Sequence, residues 1–179
     1  VVDKSYDGIL GILFQHKVTD SQFIVFSCYL PPENSPWGRN SEEFYAHMLG
    51  QIYFHNYVDT YFIWGDVNGR IGNTDDFTKN VDCIADRNHI DLYKNKHGES
   101  LVDFLLETKM CITNGRISPE LNDFTSKDRA VVDYIVVPHD FIDNCVKCEV
   151  RPTNDLLEKY NLFSLIGLGC KAPDHDLIS

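Results

Sequence analysis

What the sequence lacks narrows its setting first. It has no N-glycosylation sequon, no apolar stretch near the roughly 18 residues of a membrane span, and no secretory signal at its start. These absences predict a soluble, intracellular protein, with a nuclear address left open and no membrane or obligate protein partner expected. Positive charge is scarce, with 16 Lys and Arg against 27 Asp and Glu for a net of -11. Proteins that grip nucleic acid mainly through phosphate contacts are usually basic, so a DNA or RNA substrate would need local, metal-assisted binding. The six cysteines follow no disulfide framework, and Cys28 and Cys111 sit in apolar runs where a free thiol behaves as a small hydrophobe. A reducing compartment is expected. Cys145 and Cys148 form a CxxC, but no second pair or nearby His completes a zinc site, so the reading there is structural. No repeat, low-complexity tract or linker appears.

What is present suffices for one domain: 179 residues, 43% of them hydrophobic, can bury a real core. Apolar runs Ile9 to Phe14 and Phe23 to Leu30 flank the polar stretch Lys17 to Gln22 and predict an antiparallel hairpin, stopped by Pro31-Pro32. Asn40 with Glu43 opens a helix whose Phe44, Met48 and Ile52 recur at helical spacing to about Val58. Tyr61 to Gly65 is a short strand ending in Asp66, and Ser100 with Asp103 resembles a capping box for a second helix. Met110 to Thr113, Val131 to Val137 and Val146 to Val150 are further strand candidates. Interleaved strands and helices with direct strand-to-strand links predict a layered α/β sandwich rather than a purely parallel sheet.

Three segments can carry chemistry. In Trp64-Gly65-Asp66-Val67-Asn68-Gly69-Arg70 a strand delivers a carboxylate and, two residues on, an amide. If strand geometry persists the two side chains point the same way, as a site that activates and aligns a water needs; otherwise Asp66 simply begins an Asx-type turn. Ala172-Pro173-Asp174-His175-Asp176 sets a His between carboxylates, either to stay protonated beside a phosphoryl group or as a solvated acidic loop. Asp133 interrupts the otherwise apolar Val131 to Val137, where it either orients a His or is capped by backbone amides.

In this order along the chain the segments resemble the endonuclease/exonuclease/phosphatase superfamily, with secondary landmarks similar to its retrotransposon-type and apurinic-endonuclease-like members. Tyr29 in Ser27-Cys28-Tyr29-Leu30-Pro31-Pro32 resembles the strand-end tyrosine, Asp66 and Asn68 the GDxN motif, Asp133 the VDY strand, and Asp174-His175 the terminal SDH motif. Asn95 to Gly98 and Asn114-Gly115-Arg116 match the secondary landmarks. The resemblance implies a four-layered α/β sandwich of two mixed β-sheets flanked by helices. It implies Asp66 as general base on water, Asn68 positioning that water or the phosphate, and His175 stabilising the transition state. Asp133 would hold His175, Tyr29 would contact the phosphate or leaving oxygen, and Asp174 would lie near a magnesium or manganese ion. Thr125 would add a supporting hydroxyl, while Arg70, Asn95 and Arg116, with Lys127, would contact substrate; the cations are equally readable as surface charges.

The resemblance also places an Asn or Asp and the principal metal-binding Glu ahead of the hairpin that opens this chain. Glu33, Glu42 and Glu43 follow the tyrosine strand, in the wrong order to replace it. Residues 1–179 are therefore expected to form a single partial domain with exposed apolar faces, prone to fold poorly or associate. Pro173 stands where members carry a small polar residue, and Ala130 where many carry a serine. The implied function is a metal-dependent phosphodiesterase, foremost an endonuclease on DNA. A phosphatase on inositol lipid or another small phosphoester, and a non-catalytic remnant, stand as alternatives.

Overall fold

A computed structural model describes residues 1–38, 40–127, 129–165 and 173–179. The predicted hairpin is β1 (Ile9–Gln15) against β2 (Gln22–Tyr29), antiparallel from Ile9↔Cys28 to Gln15↔Gln22. Next to β2 lies β3 (Thr60–Asp66) in parallel, then β5 (Asp133–Pro138) and β4 (Met110–Ile112), both joined by antiparallel pairing, for the order β1-β2-β3-β5-β4. A second, two-stranded antiparallel sheet pairs β6 (Val150–Arg151) with β7 (Leu177–Ile178). With its helices this makes an α/β sandwich, whose second sheet is small and antiparallel where a mixed one was expected.

Alternation along each strand sorts the large sheet into two faces. One face sends Ile24, Phe26, Cys28, Ile63, Tyr134 and Val136 into the main core, where they meet Phe44 and Met48 of α1 (Ser41–Phe54) and Leu101 and Leu105 of α2 (Lys96–Thr108). Phe26, Phe44 and Leu105 are sealed from solvent, and the Tyr45 and Phe104 rings stack across the two helices at 5.2 Å. The opposite face is covered by a smaller cluster around Cys111, Val137 and Ile142, while Leu10, Phe14 and Trp64 stay 38, 43 and 50% exposed. Among the described residues no helix is long and apolar enough to cross a membrane.

Several boundaries differ from the sequence reading for tertiary reasons. Helix α1 starts as expected, with Asn40 accepting from the Glu42 amide, but stops at Phe54 because the Tyr61 hydroxyl donates to the Ile52 and His55 carbonyls. Helix α2 begins four residues before Ser100: Asn95 is its cap, accepting from the Gly98 amide, and Ser100 instead bonds Ser41 at 2.8 Å. Gly98 is required there, since a Cβ would stand 2.0 Å from the Arg70 carbonyl oxygen. The predicted strand Val146 to Val150 shrinks to Val150–Arg151; Val146 is 93% exposed while Cys148 turns inward to accept from Thr113. The cysteines among the described residues are free, and Cys170 lies outside them.

The long segment from residue 67 to 95 has no helix, and buried charge pins it down. Asp76 accepts from the Ile112 amide and from both terminal nitrogens of Arg116, the side chains being 1% and 2% exposed. Arg116 also donates to the Ala85 and Ile112 carbonyls. Burial acts against the Asp76 charge, but the Arg116 hydrogen bond and its positive charge outweigh it, so the carboxyl titrates below its ordinary 3.8. A folded-state value below the unfolded one means stability that is full above the ordinary carboxylate range and is lost as pH falls through the lowered value. Asp76→Asn should therefore cost about 3–5 kcal/mol at neutral pH by stranding a buried guanidinium. Urea unfolding of both proteins checks it: the gap between wild type and variant should shrink only below about pH 4.

Candidate active site

Three adjacent strands end on one rung of the sheet, because Tyr29 pairs with Asp66 and Asp66 with Asp133. Directly paired residues share a face, so all three side chains leave the sheet on the same side. The rung needs a glycine beside it: Gly65 has φ +147°, and a Cβ there would stand 1.9 Å from the Cys28 carbonyl oxygen. After Asp66 the strand stops. Asn68 takes a left-handed φ of 45°, its amide donating to Asp66 Oδ1 at 2.9 Å and its side-chain NH2 to Asp66 Oδ2 and the Leu30 carbonyl. Of the two alternatives posed by the sequence, strand geometry does not persist: Asp66 begins an Asx turn, and that turn, not strand alternation, brings Asn68 to it. With both NH2 hydrogens used, only the Asn68 side-chain oxygen remains for a ligand.

His175 arrives from the chain's last loop, fixed by a bridge between its backbone and Ser126 and by the Thr153 hydroxyl on its carbonyl. Its Nδ1 lies 2.9 Å from Asp133 Oδ2 and its Nε2 3.9 Å from Asp66 Oδ2. A carboxylate only accepts, so Nδ1 carries the proton and Nε2 faces Asp66. Asp133 is held in turn from behind. Thr125, fully buried, accepts from the Val132 and Asp133 amides, and the Asn114 side chain donates to the Asp133 carbonyl.

Electrostatics follow from this crowding. Burial, helped by the Asp133 charge, pushes the Asp66 carboxyl up to about 6, against the lowering pull of the Asn68 hydrogen bonds and His175. Burial works against a charged His175, but the Asp133 hydrogen bond and the charges of Asp133, Asp66 and Asp174 outweigh it and raise its pKa. The cluster is short of positive charge. One ligand atom each from Asp66, Asp133 and His175 lie within 4.8 Å of one another, the group among the described residues that can hold a metal ion. Two carboxylates and an imidazole fit a divalent cation that keeps oxygen ligands from water or phosphate.

Other expected site residues are placed differently. Asp174, expected near the metal, is exposed, turned to Lys127 at 3.2 Å, and outside the converging atoms. Arg116 is sealed in its pair with Asp76 and cannot meet a substrate phosphate. Arg70 is engaged by Asp91 through two bonds of 2.8 and 2.6 Å. Asn95 caps α2 and ties the Arg70 amide to the Asn68 carbonyl, and Thr125 is a buried support rather than a substrate contact. Glu33 accepts from the His97 amide, anchoring the proline loop to α2, while Glu42 and Glu43 are exposed. Sequence reasoning missed Asp91 and Thr153, which lie in no motif and act only through tertiary contacts.

No family profile and no curated protein match the chain. Its fold is similar to solved structures of a 3′-5′ exonuclease (NExo) from Neisseria meningitidis and of the 3′ phosphatase NExo from Neisseria bound to product DNA hairpin. Both have a TM-score of 0.57, at 14 and 15% identity. In each case 98% of this chain is covered, against 65% of the other, so the chain spans about two thirds of their length. At this identity the likeness shows the fold alone, an α/β sandwich, and nothing in it marks the retrotransposon branch.

Manganese titration followed by electron paramagnetic resonance checks the ion position. Asp66→Asn and Asp133→Asn should each weaken binding by at least the roughly 10–100-fold that accompanies loss of a metal site's supporting groups. Asp174→Ala should leave it unchanged. Loss with Asp174→Ala alone would return the metal to that residue.

Proposed function

We propose that the protein is a metal-dependent phosphodiesterase that hydrolyses DNA, with Asp66, Asn68, Asp133, His175 and Tyr29 as its working groups. The observation that carries this is the meeting of Asp66 and the Asp133-bound His175 on one sheet edge, on a fold similar to that of proteins described as an exonuclease and a phosphatase. Asp66, with its carboxyl near 6, is a base poised to take a proton from water. The Asn68 side-chain oxygen is left to orient that water. His175, its pKa raised by the Asp133 hydrogen bond, faces the charge that builds on the phosphoryl oxygens. Tyr29, 53% exposed on the same rung, reaches the phosphate or the leaving oxygen. A magnesium or manganese ion bound by the carboxylates would neutralise phosphate charge.

Internal cutting of DNA is the favoured mode. The names of the structural neighbours favour one second reading, action at a 3′ end. Nicking of supercoiled plasmid should require magnesium, cease with chelator, and fall by about 10²–10⁴-fold in Asp66→Ala and in His175→Ala. If plasmid is untouched but end-labelled or 3′-phosphorylated oligonucleotides are processed, the end-acting reading replaces the internal one. A folded, metal-bound protein inactive on all of these ends the nuclease proposal.

A further inference from the structure

Arg70, sought as a phosphate contact, supports something else. Its guanidinium is held by the Asp91 carboxylate, 8% exposed as a residue, and lies 4.5 Å from the centre of the Tyr93 ring. Asp91 fixes the ring's backbone as well, accepting from the Tyr93 amide at 3.0 Å, and ties in the segment before Asp133 through the Val131 amide. Tyr93 is thus oriented without a ligand, yet 61% exposed. Its distance from the chemistry is short in bonds: Asn95 joins the Arg70 amide and the Asn68 carbonyl, and Ile71 bridges Lys94.

A single exposed tyrosine needs no explanation. A guanidinium that is paired twice, removed from ligand use and placed beneath a solvent-facing ring does, since cation–π contact and the fork together fix a flat surface beside the Asp66 turn. Another exposed aromatic, Tyr29 at 53%, stands on the rung with Asp66. With a net charge of -11 the chain has little Coulomb attraction for a polyanion, and stacking supplies affinity without charge.

We propose that Tyr93, backed by the Arg70–Asp91 pair, is a stacking platform for an unpaired nucleobase of the strand whose phosphate lies at Asp66, so that the preferred substrate is single-stranded or frayed DNA. The inference rests on the phosphodiesterase reading. In a duplex both faces of a base are covered by its neighbours; in an unpaired strand they are free, and every base has such a face.

The test is binding by fluorescence anisotropy in chelator, so that nothing is cut, to two single-stranded oligomers of equal length, about 12 nucleotides. One is oligothymidylate, the other an abasic backbone with the same charge. Tyr93→Ala should weaken oligothymidylate binding about 5- to 150-fold and leave abasic binding unchanged. Tyr93→Phe should retain the wild-type difference, and Tyr93→Leu, which keeps apolar bulk without a π-face, should lose it. Equal loss on both oligomers, no loss on either, or a wild type that does not distinguish them overturns the platform. Such a result with Asp66-dependent cleavage intact removes the platform alone, whereas absence of that cleavage removes the reading beneath it.

Discussion

The register of three strand ends is the constraint on which the site depends. Tyr29, Asp66 and Asp133 are collinear because β2, β3 and β5 pair as they do, and a one-residue slip of β5 would turn Asp133 onto the helix-covered face. The register is in turn enforced by burial: Tyr134 and Val136 would leave the core in the same slip. Hydrophobic pairing far from the rung therefore sets the geometry of the polar edge. What the sheet cannot supply, loops do, and each loop is tied down. Asn68 is fixed by the Asx turn, and the Asp133 backbone by Thr125 and Asn114. The terminal loop is held by Thr153 and Ser126, which is how a His 42 residues from Asp133 comes to lie on it.

Two carboxylates on one rung repel, and burial makes each charge costlier; Asp66 answers by titrating at about 6, while the same charges raise the pKa of His175. Such an arrangement is unfavourable as pure structure, since a hydrophobic rung would pack at no electrostatic cost. Strain of this kind is retained where charge on a ligand is to be met. On the proposed function, the site is half of an electrostatic complement whose other half a cation would supply.

Much of this was legible from residues alone wherever local pattern and tertiary demand agree. The hairpin, β3 with its terminal Asp66, and the Asp133 strand follow from alternation and turn chemistry. The convergence of Asp66, Asn68, Asp133 and His175 follows from ordered motifs. What failed to show was decided by contacts distant in sequence. Ser100 looks like a cap, but Asn95 is the better one once Gly98 lets α2 approach Arg70. Asp174 looks like the ligand of its Asp-His pair, but Lys127, whose amide donates to the Asp174 carbonyl, also draws its carboxylate outward.

The arginines make the same point with functional consequence. In a chain this acidic each one near a motif invites assignment to phosphate, yet Arg116 and Arg70 both have a bidentate carboxylate partner of their own, Asp76 and Asp91. Neither partner is near in sequence, and neither lies in a motif, so nothing local distinguishes a guanidinium reserved for the fold from one offered to a ligand. The difference lies in what is behind each pair. Asp76 and Arg116 are sealed in the interior and organise the long segment after β3. Asp91 and Arg70 stand one layer further out, with Tyr93 on their outer side. The first pair can act only through stability, whereas the second, with an Arg70 side chain 26% exposed, fixes the Tyr93 ring at the surface.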